Sequence, residues 1–100
     1  MDISDWRRKI DAIDTAMLHL INLRAELALE VGKLKKDGGI ALRAPAREQE
    51  IVARMKSANP GPLDARAVSR IYTLIVGECI RTQRRCGFDG AAAKANRRKA

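Results

Sequence analysis

The sequence predicts an all-α chain of three helices, one of them very long, and three observations predict it. Apolar residues recur at alternating steps of three and four over residues 3–34. Pro and Gly fall in a few tight clusters, with long periodic stretches between them. No strand-type alternation occurs anywhere.

The first helix is read from Ile3, Trp6, Ile10, Ile13, Met17, Leu20, Arg24, Leu27, Val31 and Leu34, a stripe in which only Arg24 is not apolar. Ser4 or Asp2 can cap its start, and Asp5 suits the positive end of the helix dipole. Lys33, Lys35 and Lys36 complement the other end before Gly38-Gly39 stops it, and Gly32 weakens the helix without breaking it. A second helix fits residues 45–58, with Pro45 at its first position and Ile51, Val52 and Met55 as its apolar face. Asn59-Pro60-Gly61-Pro62 is a firm stop. A third helix fits residues 64–86: Asp64 is its cap, Leu63 and Val68 have the spacing of a hydrophobic staple, and Val68, Ile71, Ile75 and Cys79 form a stripe widened by Leu74 and Ile80. Residues 1–86 are expected to form one helical domain, and residues 87–100 a solvated, disordered basic tail.

Length adds a further expectation. A rod of about 34 helical residues at ~1.5 Å rise is about 50 Å long, whereas a compact chain of this size has a radius of gyration of only ~13 Å. The apolar stripe runs almost the whole rod, so another surface must cover it. A second copy with two-fold symmetry is the simplest cover, and an intertwined helical homodimer is expected.

Composition narrows the function. One hundred residues make one domain at most, and 46% apolar content is ordinary for a globular chain. Three aromatic residues (Trp6, Tyr72, Phe88) do not build stacking platforms for single-stranded nucleic acid. Lys and Arg outnumber Asp and Glu by 20 to 12, a net charge of +8 that favours an anionic partner. No apolar run has the ~18–20 residues of a membrane span, and the N-terminus shows no basic-then-apolar signal pattern. Cys79 and Cys86 do not make a disulfide framework. The expected location is the cytoplasm, with no membrane partner.

Arg24 is the informative residue, because a charge on an apolar seam must be paired or must face a ligand. It can set register, pair with Glu30, Asp14 or an acid of a partner chain, or meet an anion. Other polar groups gather by helical geometry. Lys35 lies three turns on along nearly the same face, Arg47 and Glu48 open the second helix, and Gln83 stands one turn beyond Cys79 and extends the third stripe inward. Together Arg24, Lys35, Arg47, Glu48 and Gln83 can line a cationic pocket in a helical bundle. His19, the lone histidine, reads as a surface residue. No metal, nucleophile or phosphate-loop motif is present, and no cofactor is expected.

Five runs resemble one family. Arg7-Arg8-Lys9-Ile10-Asp11-Ala12-Ile13-Asp14, then Leu23-Arg24-Ala25-Glu26-Leu27-Ala28 and Val31-Gly32-Lys33-Leu34-Lys35, look like the first helix of the all-helical chorismate mutases. Arg47-Glu48-Gln49-Glu50 and Ile80-Arg81-Thr82-Gln83 match in order and spacing, so that residues 5–86 are covered. The resemblance implies an intertwined dimer of three-helix chains that rearranges chorismate to prephenate, an entry step to phenylalanine and tyrosine in the shikimate pathway. By position, Arg24 would bind one substrate carboxylate and Arg7 would reach the other from the partner chain. Lys35 and Gln83 would donate to the ether oxygen of the breaking bond, Arg47 would line the pocket, and Glu48 would accept from the ring hydroxyl. Cys79 stands where serine is common and would be a weaker donor to the ring carboxylate.

The chemistry agrees with the residue types. Two carboxylates call for two cationic forks, and a concerted pericyclic shift needs no nucleophile, metal or general base. It needs a held conformer and fixed donors at the oxygen where negative charge grows. Two alternatives stay open at this stage: an isochorismate pyruvate lyase on the same fold, and a non-enzymatic basic helical dimer that binds nucleic acid. The second is weakened because Lys94, Arg97, Arg98 and Lys99, set against Asp89, place part of the charge in the tail.

Overall fold

The structure, a computed structural model, describes residues 1–88, so the expected basic tail lies outside the described residues from residue 89 on. Three helices follow in order: α1 (Ile3–Asp37), α2 (Pro45–Ala58) and α3 (Ala65–Arg85), with no strand among the described residues.

Each boundary has a local cause. Asp2, rather than Ser4, caps α1: its carboxylate accepts the Asp5 N–H while the Asp5 carboxylate accepts the Asp2 N–H, a reciprocal box. At the other end the Gly38 N–H donates to the Leu34 carbonyl, the Ile40 N–H to the Lys35 carbonyl, and Gly39 turns the chain at φ +67°. Pro45 opens α2. Its cap residue, Ala44, has no side-chain acceptor, and the Glu48 carboxylate accepts the Ala44 N–H instead. The Asn59 side chain donates to the Leu63 carbonyl and accepts the Gly61 N–H, which ties the turn before Asp64 caps α3 through the Ala67 N–H.

α3 is the central element and packs against both α1 and α2. Leu42, Ile51, Val76 and Ile80 form the buried core, with Met55 and Tyr72 against it. The α3 stripe differs from the sequence expectation: Ile71 and Leu74 are exposed, and Val76 is buried. Gripped between two helices, α3 buries a face rotated away from its most apolar one. Leu42, in the loop, has no period to announce it.

On α1 the side toward α3 carries small residues, with Ala25 and Ala28 half-buried and Gly32 buried. The apolar stripe stays open in the single chain, with Ile13 58% and Leu34 72% exposed. The described chain measures 59 × 27 × 18 Å with a radius of gyration of 17.1 Å, well above the ~13 Å of a compact chain of this length. The rod overhangs its core, as its length implies. Among the described residues no helix is long and apolar enough to cross a membrane.

Candidate active site

A cavity of about 300 Å³ opens where the second half of α1, the start of α2 and the end of α3 meet. Arg24 and Lys35 reach it from α1, Arg47 and Glu48 from α2, and Cys79 and Gln83 from α3, so six of the seven residues singled out in the sequence share one cavity. Leu27, Val31, Leu42, Ile51, Val76 and Ile80 supply its apolar walls. The seventh residue, Arg7, is not there. It is exposed near the start of α1, 17 positions before Arg24 and so about 25 Å away along the helix axis.

Arg24 is half-buried and makes no ion pair among the described residues. Of the acids it could have met, Glu30 pairs with Lys33 instead. Lys35 is half-buried, and its Nζ donates to the Leu42 carbonyl at 2.9 Å. Three donors on one ammonium leave the others available to a ligand. The Arg47 guanidinium pairs with Glu50 on the exposed side of α2 at 2.6 Å. Cys79 is a buried free thiol and Cys86 an exposed one.

Glu48 is held most completely. Its side chain is 18% exposed, and its Oε2 accepts from Arg43 Nε and from the Ala44 N–H, each at 3.0 Å. Its Oε1 accepts from Arg43 Nη2 at 2.7 Å. The Arg43 hydrogen bond holds the carboxyl below its ordinary pKa. Burial opposes this, and the Ala44 N–H and the charges of Arg43 and Lys35 assist it. Glu48 is therefore an ionised acceptor in an otherwise cationic cavity. Arg43 escaped the sequence reading because it lies in a loop with no periodicity.

Gln83 is 5% exposed, and its Nε2 donates to the Ala28 carbonyl of α1 at 2.6 Å. One of its two amide hydrogens is thus committed and the other is left for the cavity. Gly32 makes this approach possible. A Cβ there would stand 3.4 Å from Gln83 Cγ and 2.9 Å from the Cβ of Phe88, which folds back over α1 with its N–H on the Gln83 carbonyl. The Lys36 ammonium lies 5.4 Å from the centre of the Phe88 ring. A glycine read only as a weak point is the contact surface between α1 and α3. Gly32→Val should destabilise the fold by about 2–3 kcal/mol through overpacking and lower the turnover rate by displacing Gln83. Thermal unfolding beside steady-state kinetics tests both, and an unchanged Tm would show that the approach is slack.

Among the described residues no group of three or more His, Cys, Asp or Glu is placed to hold a metal ion. His19 is exposed on α1.

Fold and cavity together define a three-helix domain with a preformed cationic pocket at its helix junction. The chain belongs to the chorismate mutase type II family, whose model matches residues 6–84. It is 37% identical over 78 residues to the bifunctional chorismate mutase/prephenate dehydratase of Neisseria gonorrhoeae (strain ATCC 700825 / FA 1090), covering 78% of this chain and 21% of that protein. The bifunctional chorismate mutase/prephenate dehydratase of Escherichia coli (strain K12) is 36% identical over 78 residues, which is 77% of this chain and 20% of that protein. The chain thus spans about a fifth of the length of these curated relatives. Among solved structures, the chorismate mutase (Form II) from Thermus thermophilus superimposes with a TM-score of 0.81 at 26% identity, over 83% of this chain and 94% of that one.

Proposed function

We propose that this chain is a chorismate mutase, an isomerase that converts chorismate to prephenate without cofactor or metal, and that it acts as an intertwined homodimer in the cytoplasm. The observation that carries this reading is the convergence of Arg24, Lys35, Arg47, Glu48, Cys79 and Gln83 on one cavity of about 300 Å³. Two cysteines kept as free thiols suit a reducing compartment.

In this reading chorismate, a dianion, enters with one carboxylate on the Arg24 fork, which no described residue pairs. Its ring hydroxyl donates to Glu48, which is ionised and so can only accept. Lys35 and the free Gln83 amide hydrogen donate to the ether oxygen. As the C–O bond breaks and the new C–C bond forms in one step, negative charge grows on that oxygen, and donors already in place stabilise it without reorganising. Holding the extended diaxial conformer removes the entropic part of the barrier. Cys79, a weaker donor than serine, meets the ring carboxylate in this reading. By the family resemblance the second carboxylate meets Arg7 of the partner chain, and in its own chain Arg7 lies about 25 Å from Arg24 along α1, out of reach of the cavity.

The direct test is incubation of the purified chain with chorismate and, separately, with isochorismate, with identification of the product. Prephenate from chorismate supports the reading. Pyruvate release from isochorismate with no prephenate would reassign the cavity to a lyase, and DNA binding with a steep salt dependence and no turnover would reassign the chain. Subunit mixing tests the role of Arg7. Arg7→Ala and Arg24→Ala chains should each be nearly inactive alone, whereas the unfolded and co-refolded mixture should recover about a quarter of wild-type activity. Half the dimers are then mixed, and each holds one intact site and one doubly broken site. If Arg7 served its own chain, no site in the mixture would be intact and no activity would return.

A further inference from the structure

We infer that Arg43, which lies outside the cavity, is a positioning residue for Glu48: its guanidinium fork grips the carboxylate from the far side and fixes the orientation in which Glu48 meets the substrate hydroxyl. This rests on the chorismate reading of the cavity.

Glu48 is a shared wall. It lines the inner cavity and also an outer groove of about 380 Å³ between α2 and α3, where Arg43, Gln49, Lys56 and Thr73 stand. Arg43 lines only the outer groove, so the pair runs through the wall between the two spaces. The fork is two-pronged, with Nε on Oε2 at 3.0 Å and Nη2 on Oε1 at 2.7 Å, the arrangement in which Arg orients a carboxylate as well as pairing with it. The backbone that carries Arg43 is fixed on both sides. Leu42 is buried in the core with its carbonyl held by Lys35, and the Ala44 N–H itself donates to Glu48. Among the described residues Oε1 has a single donor, and so it retains room for a ligand hydroxyl.

The charged and titratable groups around Glu48 make Arg43 the decisive one. Arg24 and Lys35 approach from α1, Arg47 from its own helix, Cys79 from α3, and Lys56 lines the outer groove. None of these cations hydrogen-bonds the Glu48 carboxylate, and among the described residues Arg43 is the one that does. Without it the carboxyl keeps its burial but loses its largest stabilising partner, and its affinity for protons rises. A protonated Glu48 donates where it must accept.

The test is the pH profile of kcat/KM for wild type, Arg43→Ala, Arg43→Gln and Arg43→Lys, beside a carbon-13 titration of the Glu48 carboxyl in wild type and Arg43→Gln without substrate. The acid limb of Arg43→Ala and Arg43→Gln should move to higher pH, with about a fivefold loss near pH 5 and a smaller loss at pH 8. Arg43→Lys should restore the limb in part, since it returns the charge without the fork. The carbon-13 midpoint should rise in parallel. Because the folded pKa of Glu48 lies below its unfolded value, the pair stabilises the fold above the unfolded carboxylate range and ceases to as pH falls through the folded value. The Tm gap between wild type and Arg43→Gln should therefore close in acid. A profile that superimposes on wild type, or a loss by one factor at every pH with an unmoved carbon-13 midpoint, overturns the inference. Failure of the wild type itself to turn over chorismate would sink the reading of the cavity, while the carbon-13 titration would still judge the Arg43–Glu48 pair.

Discussion

Gln83→Glu is expected to be nearly inactive at neutral pH and to regain part of its rate as the solution is acidified. In the native chain the amide has two N–H groups: one donates to the Ala28 carbonyl at 2.6 Å, and the other, in the proposed reading, donates to the ether oxygen. A carboxylate in that place offers no donor. It faces the Ala28 carbonyl on one side and growing negative charge on the other, and the loss of one such donor costs ~10²–10³ in kcat. Burial and the facing carbonyl raise the new acid's pKa, while Lys35 and Arg24 in the same cavity pull it down. Recovery should remain partial, because a single O–H must serve two acceptors. Lys35→Ala should lose rate by a similar factor at every pH, since no protonation replaces a missing ammonium. Lys35 also holds the Leu42 carbonyl, so thermal unfolding must accompany the kinetics. A wild-type rate for Gln83→Glu at neutral pH would remove Gln83 from the reacting oxygen and dissolve the site assignment.

The helices were legible because each of their causes is local. Asp2, Pro45 and Asp64 start them, Gly38-Gly39 and Asn59-Pro60 stop them, and the structure places the boundaries within a residue or two of those signals. Six residues of the cavity were legible for different reasons: Arg24 interrupts an apolar stripe, Cys79 belongs to one and Gln83 extends it, Lys35 lies on nearly the same face as Arg24, and Arg47 and Glu48 open the second helix. What the sequence hid is contact between elements. Gly32 looks like a weak point in α1 until α3 brings Gln83 and Phe88 against it. Arg43 has no periodicity to distinguish it from any loop arginine, and its function exists only through the Glu48 carboxylate five residues on. Val76 replaced Ile71 in the core because the direction from which α2 approaches is not written in the hydropathy of α3.

Ile13→Glu is expected to abolish the dimer and with it the activity. Along α1 the stripe of Trp6, Ile10, Ile13, Met17 and Leu20 is open in the single chain, and large apolar surface of that extent marks an interaction face. Ile13 sits mid-stripe at 58% exposure and is left open by the described residues of its own chain. In a two-fold dimer one substitution enters the interface twice, and two unpaired carboxylates would be buried where two isoleucines had been. A loss of about 4 kcal/mol, a thousandfold in the dissociation constant, is a modest estimate for that change. Activity should fall in parallel, because separated chains cannot exchange Arg7. Thr15→Glu, on the opposite side of α1, is the control: it adds the same charge to the same helix away from the stripe and should leave the dimer intact. Sedimentation equilibrium at micromolar concentration checks both variants. A wild-type chain that is folded and monomeric there, or an Ile13→Glu chain that dimerises as tightly as Thr15→Glu, would mean that the stripe serves something other than a second copy. The second cation of the site would then have to come from a group other than Arg7.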